Sequence, residues 1–261
     1  MSGSAGLRPF DANADPDHER RFGGLSRLWG ASAYERVRSA RLAVVGIGGV
    51  GSWAAEALAR CGVAELVLID LDQVGESNIN RQVQALGSTI GAAKVSVLQQ
   101  RLADIHPGCR VHAIEDFVEP GNWPQLLPGA VDVVIDACDQ SAAKLAMATW
   151  ALQQRQPLVI AGAAGGKSKP QAIEVDDLAH ATHDPLLASL RQRLRKAGAA
   201  RTGDIGLRCV FSREPVTRPQ TQDCDLDGSL NCHGYGSVVT VTAAFGLSAA
   251  AEALRLVRGA N

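Results

Sequence analysis

One short run of glycines constrains this chain more than any other feature. Gly46-Ile47-Gly48-Gly49-Val50-Gly51 sits between an apolar, β-forming run (residues 41–46) and a stretch with apolar residues at helical spacing (residues 50–61). A G-x-G-x-x-G that closes a strand and opens a helix lets the backbone turn tightly and approach a phosphate. The helix start supplies unpaired N–H groups and the positive end of the helix dipole. Parallel strands need such a crossover, so the junction commits the chain to βαβ units.

The alternation continues downstream. Residues 65–70 read as a second strand, and 91–106 as a helix that stops before Pro107 and Gly108. Residues 110–114 and 131–136 are strands, 141–154 a helix and 157–161 a fifth strand. Past Gly162 the pattern weakens into a Gly-rich loop (161–169) and an antiparallel strand (171–175). Asp184 and Pro185 then start a helix (184–197), followed by a strand (207–212) and a long polar loop (213–232). The expected fold class is α/β: a Rossmann-like, mostly parallel sheet flanked by helices and extended by antiparallel strands in the C-terminal half. Residues 1–20 are expected to be a mobile lead-in. Residues 21–261 are expected to form one domain, with a nucleotide-binding half (21–165) and a half for substrate and dimer contacts (166–261).

Composition narrows the class. With 46% hydrophobic residues and 26 Lys+Arg against 27 Asp+Glu, the chain is neither disordered nor coated in positive charge. Its six cysteines form no C-x-x-C pair, which fits reduced thiols in a cytoplasmic protein. The N-terminus has no apolar core of a signal peptide. The uncharged segment 234–251 is expected to be a buried core helix; membrane association through 234–257 is the alternative.

Residues that carry chemistry gather around the glycine loop. Asp70, at the end of the second strand, stands where an acidic side chain accepts hydrogen bonds from ribose hydroxyls. Asn80, Arg81, Gln82 and Lys94 follow, and a dinucleotide has no need of this Arg and Lys. A triphosphate attacked at its α-phosphorus has much charge to neutralise. Asp136 and Asp139 close the fourth strand at the carboxyl edge of the sheet. A carboxylate there suits magnesium, whereas the structural alternative is a strand end and a helix cap.

The segments GIGGVGS, LIDLDQVGESNINRQ, GAAK and IDACD, in this order and spacing, resemble the ubiquitin-activating-enzyme superfamily, which includes the bacterial molybdopterin- and thiamine-pathway adenylyltransferases. The resemblance implies a fold that binds ATP with magnesium and transfers AMP to a carboxylate. Carried over by motif, Gly46, Gly48, Gly49 and Gly51 cradle phosphate, and Asp70 holds the ribose with Asp72 beside the nucleotide. Asn80, Arg81, Gln82 and Lys94 hold the triphosphate, and Asp139 the metal. Arg21, in RRFGG, matches the family's N-terminal arginine that reaches into a partner subunit's site, which implies a homodimer. The catalytic set is therefore Arg81, Lys94, Asp139 and Arg21.

Adenylyltransferases for sulfur-carrier proteins usually hold zinc with two C-x-x-C pairs, and this chain has none, so no structural zinc is expected. RRFGGLSRLWG, the DPL of Asp184 to Leu186 and the CVFS of Cys209 to Ser212 look more like the branch of tRNA threonylcarbamoyladenosine dehydratases. That branch implies adenylation of the threonine carboxylate on a modified adenosine in tRNA, then ring closure by the carbamoyl group with loss of AMP. The nucleophile already belongs to the acyl donor, so closure has the proximity advantage of an intramolecular reaction and needs no enzyme thiol. The alternative is activation of the C-terminus of a ubiquitin-like sulfur carrier, and the resemblance extends the candidate partners to a cysteine desulfurase or sulfur-acceptor system. Cys232, beside His233, is expected to be incidental rather than nucleophilic. Arg191, Arg193, Arg195, Lys196, Arg201, Arg208, Arg213 and Arg218 form the candidate surface for tRNA phosphates.

Overall fold

The computed structural model describes residues 18–217 and 235–259. Two helices lead in, α1 (His18–Trp29) and α2 (Ala31–Ser39). The expected alternation follows: β1 (Arg41–Val45), α3 (Gly51–Arg60), β2 (Glu65–Ile69), α4 (Lys94–Ile105), β3 (Arg110–Ile114), β4 (Val133–Asp136), α5 (Ser141–Gln154) and β5 (Leu158–Ala161). The C-terminal half adds β6 (Ile173–Asp177), α6 (Pro185–Lys196), β7 (Arg208–Ser212) and α7 (Val239–Arg258).

The seven strands form one sheet in the order β3-β2-β1-β4-β5-β7-β6. Every pairing is parallel except β6 with β7. The expected fold class holds, with β7 itself joining β5 in parallel. Strand order reverses between β1 and β4, and ligands of open α/β sheets bind at the carboxyl end of such a switch point. The Gly46 loop leaves β1 there, and residues 137–139 leave β4 beside it.

Side-chain alternation builds two cores. Leu42, Val44, Leu66, Leu68, Val133 and Ile135 face α2, α3, α4 and α7, while Ala43, Val45, Val67, Ile69, Val134 and Ile160 face α5 and α6. Strands buried on both faces read as continuous apolar runs, and for that reason they were legible in the sequence. The apolar segment expected as a core helix is α7. By length and composition it is long enough to cross a bilayer. Its Val241, Phe245, Ala249 and Ala253 are instead enclosed against the sheet, and Gly246 lets it press onto α3, where a Cβ would lie 2.3 Å from the Val50 carbonyl oxygen.

Several boundaries differ from expectation, among them α7, which runs Val239–Arg258 against the expected segment 234–251. Residues 18–29 and 31–39 are helical, so the lead-in gives way to structure at His18; Gly23 and Gly24 inside α1 mask a helix that buries Phe22, while α2 buries Tyr34 and Val37. The helix expected from residue 91 starts at Lys94, because Gly91 (φ +86°) and Ala92 exchange backbone hydrogen bonds with Val74. The antiparallel strand begins at Ile173, because Pro170–Ala172 forms a short 3-10 turn. Cys224, Cys232, His233 and Arg218 lie outside the described residues.

Candidate active site

The glycine loop is shaped by close approaches. Gly46 has φ +85°, and a Cβ there would stand 2.7 Å from the Cys138 amide nitrogen. At Gly51 a Cβ would stand 1.8 Å from the Gly46 carbonyl oxygen, so this glycine serves the packing of α3 on the turn. No side chain caps the start of α3, and the Ser52 N–H donates back to the Gly48 carbonyl at 3.1 Å, so the positive end of the helix dipole faces the loop. The Ile47 peptide is clamped from both sides. Its N–H donates to Asp70 Oδ2 at 2.6 Å, and its carbonyl accepts from Gln84 Nε2 at 2.9 Å.

Around this loop opens a cleft of about 990 Å³, at the large end of small-molecule sites. Gly46, Gly48, Gly49, Asp70, Asp72, Asn80, Arg81, Gln82, Lys94 and Asp139 all line it. Lys94 is buried, and its Nζ donates to Asp72 Oδ2 at 2.7 Å. Its backbone N–H donates to the Asp72 carbonyl at 3.0 Å, so the pairing that delays α4 also aims this side chain. Arg81 lies over Gly49, donates from Nη1 to the Ser77 carbonyl and Asn80 Oδ1, and has its own carbonyl held by Trp53 Nε1. Asn80 in turn donates to the Ser237 carbonyl ahead of α7.

Burial pushes the Asp70 carboxyl up, opposed by Lys94 and the N–H groups of Asp72 and Ile47. Burial pushes the Arg81 guanidinium down from its ordinary range. The cleft thus confronts the glycine loop with a buried and a half-buried cation, whose partial removal from water strengthens their field on any phosphate placed between them.

Two predicted residues lie elsewhere. Gly51 stands behind the loop, as described. Arg21 is exposed at the opposite end of α4 from Lys94, about 16 Å along the helix. There its Nη1 donates to the Ile105 carbonyl at 2.7 Å and the Asp104 carbonyl at 3.3 Å.

Sequence reasoning passed over several residues at the site. Asp116, Phe117, Gly162–Gly165 and Tyr235 also line the cleft. Asp184 caps α6 by accepting from the Leu187 N–H, and its other oxygen accepts from the Ala163 N–H at 2.8 Å, tying the Gly-rich wall to that helix. Beneath the floor lies Lys144, wholly enclosed, paired with Asp136 at 3.0 Å. Burial works against its charge, but Asp136, together with Cys138 and Asp184, offsets this and holds the ammonium above its ordinary range. A lysine in DQSAAK looks like a solvated helix residue, so no pattern in the sequence marks it.

The thiols and the basic run also resolve. Burial pushes Cys61 up to about 11 and Cys109 up to about 12, and lifts Cys138 and Cys209 well above the usual thiol range, so none is poised as a nucleophile. Arg208 pairs with Glu252 and Asp176, Arg213 pairs with Glu174, and Arg191 donates to the carbonyls of Leu178 and Ala181. Arg193, Lys196 and Arg201 are exposed, and Arg195 is half-buried.

Comparison with known proteins adds what geometry alone leaves open. Residues 22–261 match the ThiF family. The chain is 42% identical over 248 residues to tRNA threonylcarbamoyladenosine dehydratase of Escherichia coli K12, covering 90% of this chain and 92% of that one. Crystal structures of the E. coli tRNA N6-threonylcarbamoyladenosine dehydratase with AMP and with ATP align with TM-scores of 0.86 and 0.85 at 41% identity, each covering 94% of this chain and 96% of theirs. A match running from α1 through α7, with a relative 42% identical over nearly the whole of both chains, leaves one conclusion: the chain belongs to the ThiF family.

Proposed function

We propose that this protein uses ATP to cyclise threonylcarbamoyladenosine in tRNA, with net loss of one water. The observation that carries the reading is the 42% identity, over nearly the whole of both chains, to an enzyme named for that reaction. It is supported by a cleft that sets Arg81 and Lys94 beside the glycine loop, cations that suit the charge of a triphosphate. A carboxylate oxygen of the threonine moiety attacks the α-phosphorus of ATP, and pyrophosphate leaves. The carbamoyl nitrogen then attacks the acyl carbon, the P–O–C link to AMP breaks at carbon, and the nitrogen's proton goes to solvent. Lys94 and Arg81 neutralise charge that builds on the phosphates in the first step, and the N–H groups at the start of α3 hold the phosphates in place.

Asp139 at the cleft floor suits magnesium. The site offers oxygen donors, with Asp72 and Asp116 also on its lining, and among the described residues no cluster of three forms a closed metal cage. Magnesium is held in that way, by one or two carboxylates and the substrate's phosphates. When bound it would neutralise phosphate charge.

The homodimer belongs to the same reading. Ile79, Leu86 and Ile90, on the connection from β2 to α4, are large apolar side chains about half exposed. Large apolar side chains left half exposed on one connection suit coverage by a second copy. In the homodimer that the family resemblance implies, the Arg21 of one copy would reach the site of the other. Residues 166–261 would supply most of the contacts with tRNA, and Arg193, Arg195, Lys196 and Arg201 its phosphates.

The test is incubation with ATP, magnesium and tRNA that lacks the cyclic form, followed by mass spectrometry of the nucleosides. Loss of one water from threonylcarbamoyladenosine, with one AMP formed per event, is expected. AMP formation that requires a ubiquitin-like carrier protein in place of tRNA would overturn the reading.

A further inference from the structure

Lys144 and Asp136 have no part in the chemistry just described, and neither lines the cleft. Both are completely enclosed. A buried ion pair is a poor way to gain stability, since apolar residues of similar volume often do as well or better. Its use must be sought in what it connects.

The Lys144 ammonium donates to two acceptors on different strands: Asp136 Oδ1 at the end of β4, at 3.0 Å, and the Ala161 carbonyl at the end of β5, at 2.9 Å. Each acceptor begins a wall of the cleft. After Asp136 come residues 137–139, which carry Asp139 and lie so close to the phosphate loop that only glycine fits at position 46. Asp136 Oδ1 also takes the Cys138 N–H at 3.2 Å, which fixes that turn. After Ala161 come Gly162–Gly165, the wall on the side of α6 and Tyr235. Asp184 holds the far side of this second wall, and Lys144 holds its root. Glycine-rich backbone has little stiffness of its own, so its place depends on such anchors.

We propose that Lys144 is a positioning residue: through Asp136 and Ala161 it sets the spacing between the nucleotide wall (137–139) and the glycine wall (162–165), and so aligns the bound acyl group with the α-phosphate. The kinetic part rests on the adenylation reading above. The tie makes its contribution to alignment, so its loss lowers kcat far more than it weakens ATP. Misplacement of a reacting group by about 1 Å costs on the order of a hundredfold in rate.

Two double variants separate the tie from mere burial of charge. Asp136→Asn with Lys144→Gln keeps donors and acceptors without charges; Asp136→Leu with Lys144→Met fills the space and cuts the tie. Both avoid an unpaired buried charge. The apolar pair is expected to melt near the parent temperature, to bind ATP within about threefold by calorimetry, and to lose about 30-fold or more in kcat. The amide pair should recover most of that loss. If the apolar pair does not fold, Asp136→Asn with Lys144→Met, which keeps an acceptor for the Cys138 N–H, takes its place with the same expectation.

Wild-type kcat in a folded apolar variant overturns the proposal, and so does equal loss of ATP binding and turnover. Absence of tRNA turnover in the parent protein would instead sink the reading of the reaction. The tie is then judged by crystal structures of the parent and the apolar pair. A shift of residues 162–165 relative to 46–51 supports it, and superposable walls refute it.

Discussion

Lys94 reaches the cleft because Asp72 holds it there twice, through its side chain and its backbone. Asp72 is more than half exposed, so the ion pair itself contributes little to stability, ~1 kcal/mol at most. Lys94→Ala is therefore expected to leave melting almost unchanged while lowering single-turnover AMP formation by about 10²–10³, the usual effect of removing one aimed charge from a desolvated site. AMP release within tenfold of the parent would remove Lys94 from the catalytic set. Such residues were visible in the sequence because their chemistry is local: a glycine loop, a basic pair and an acid at a strand end each advertise a role by type and spacing. Lys144 was invisible for the opposite reason. Nothing in its neighbours along the chain says that β4, β5 and α5 will close over it.

At the level of elements, α4 links two regions of different character. Its first residue is Lys94, and its last turn meets α1, where His106 packs edge-on against Phe22 with ring centroids 4.7 Å apart and faces His18 at 5.4 Å. Burial, then the charges of His18 and Arg21, lower the His106 pKa from 6.5 to about 4. The folded protein thus refuses a proton that the unfolded chain accepts between those values. Stability is full above pH 6.5, falls as pH drops from 6.5 toward 4, and loses nothing more from this group below that. Urea midpoints measured from pH 7.5 to 5 should therefore decline, and His106→Phe, which keeps a ring and removes the titrating nitrogens, should flatten the decline. An equal decline in the variant would assign it to other groups. The carboxylates Glu56, Glu65 and Glu252, held low by arginine partners although burial opposes them, act only at lower pH. The register of α4 also shows why element ends were harder to read than element types. Gly91–Ala93 has a helical look in GAAK, yet its backbone partners lie at Gln73 and Val74, reached only by folding.

At the scale of the whole molecule, the position of Arg21 is decisive. Within one chain it caps the far end of α4, so any action on phosphate requires a neighbouring copy. Mixing Arg21→Ala protein with Lys94→Ala protein tests this: if Arg21 serves the partner's site, mixed dimers contain one complete site and activity reappears. No recovery, with exchange of subunits shown independently, would leave Arg21 a helix cap. The basic run divides in a similar way. Charge reversal at Arg193 and Arg195 is expected to raise KM for tRNA and to reduce its salt dependence while KM for ATP stays put. Unchanged tRNA affinity would return these residues to ordinary solvated surface. By itself, the sequence of 261 residues determined the α/β class, the parallel character of the first strands and the nucleotide loop, because buried strands, helix periodicity and glycine turns are written in runs of adjacent residues. Only the tertiary structure decided which charges of the basic run are spent on Glu174, Asp176 and Glu252, where Arg21 points, and that one enclosed ammonium joins two walls of the cleft. Those outcomes depend on residues far apart in the chain meeting across a strand order that no local pattern encodes.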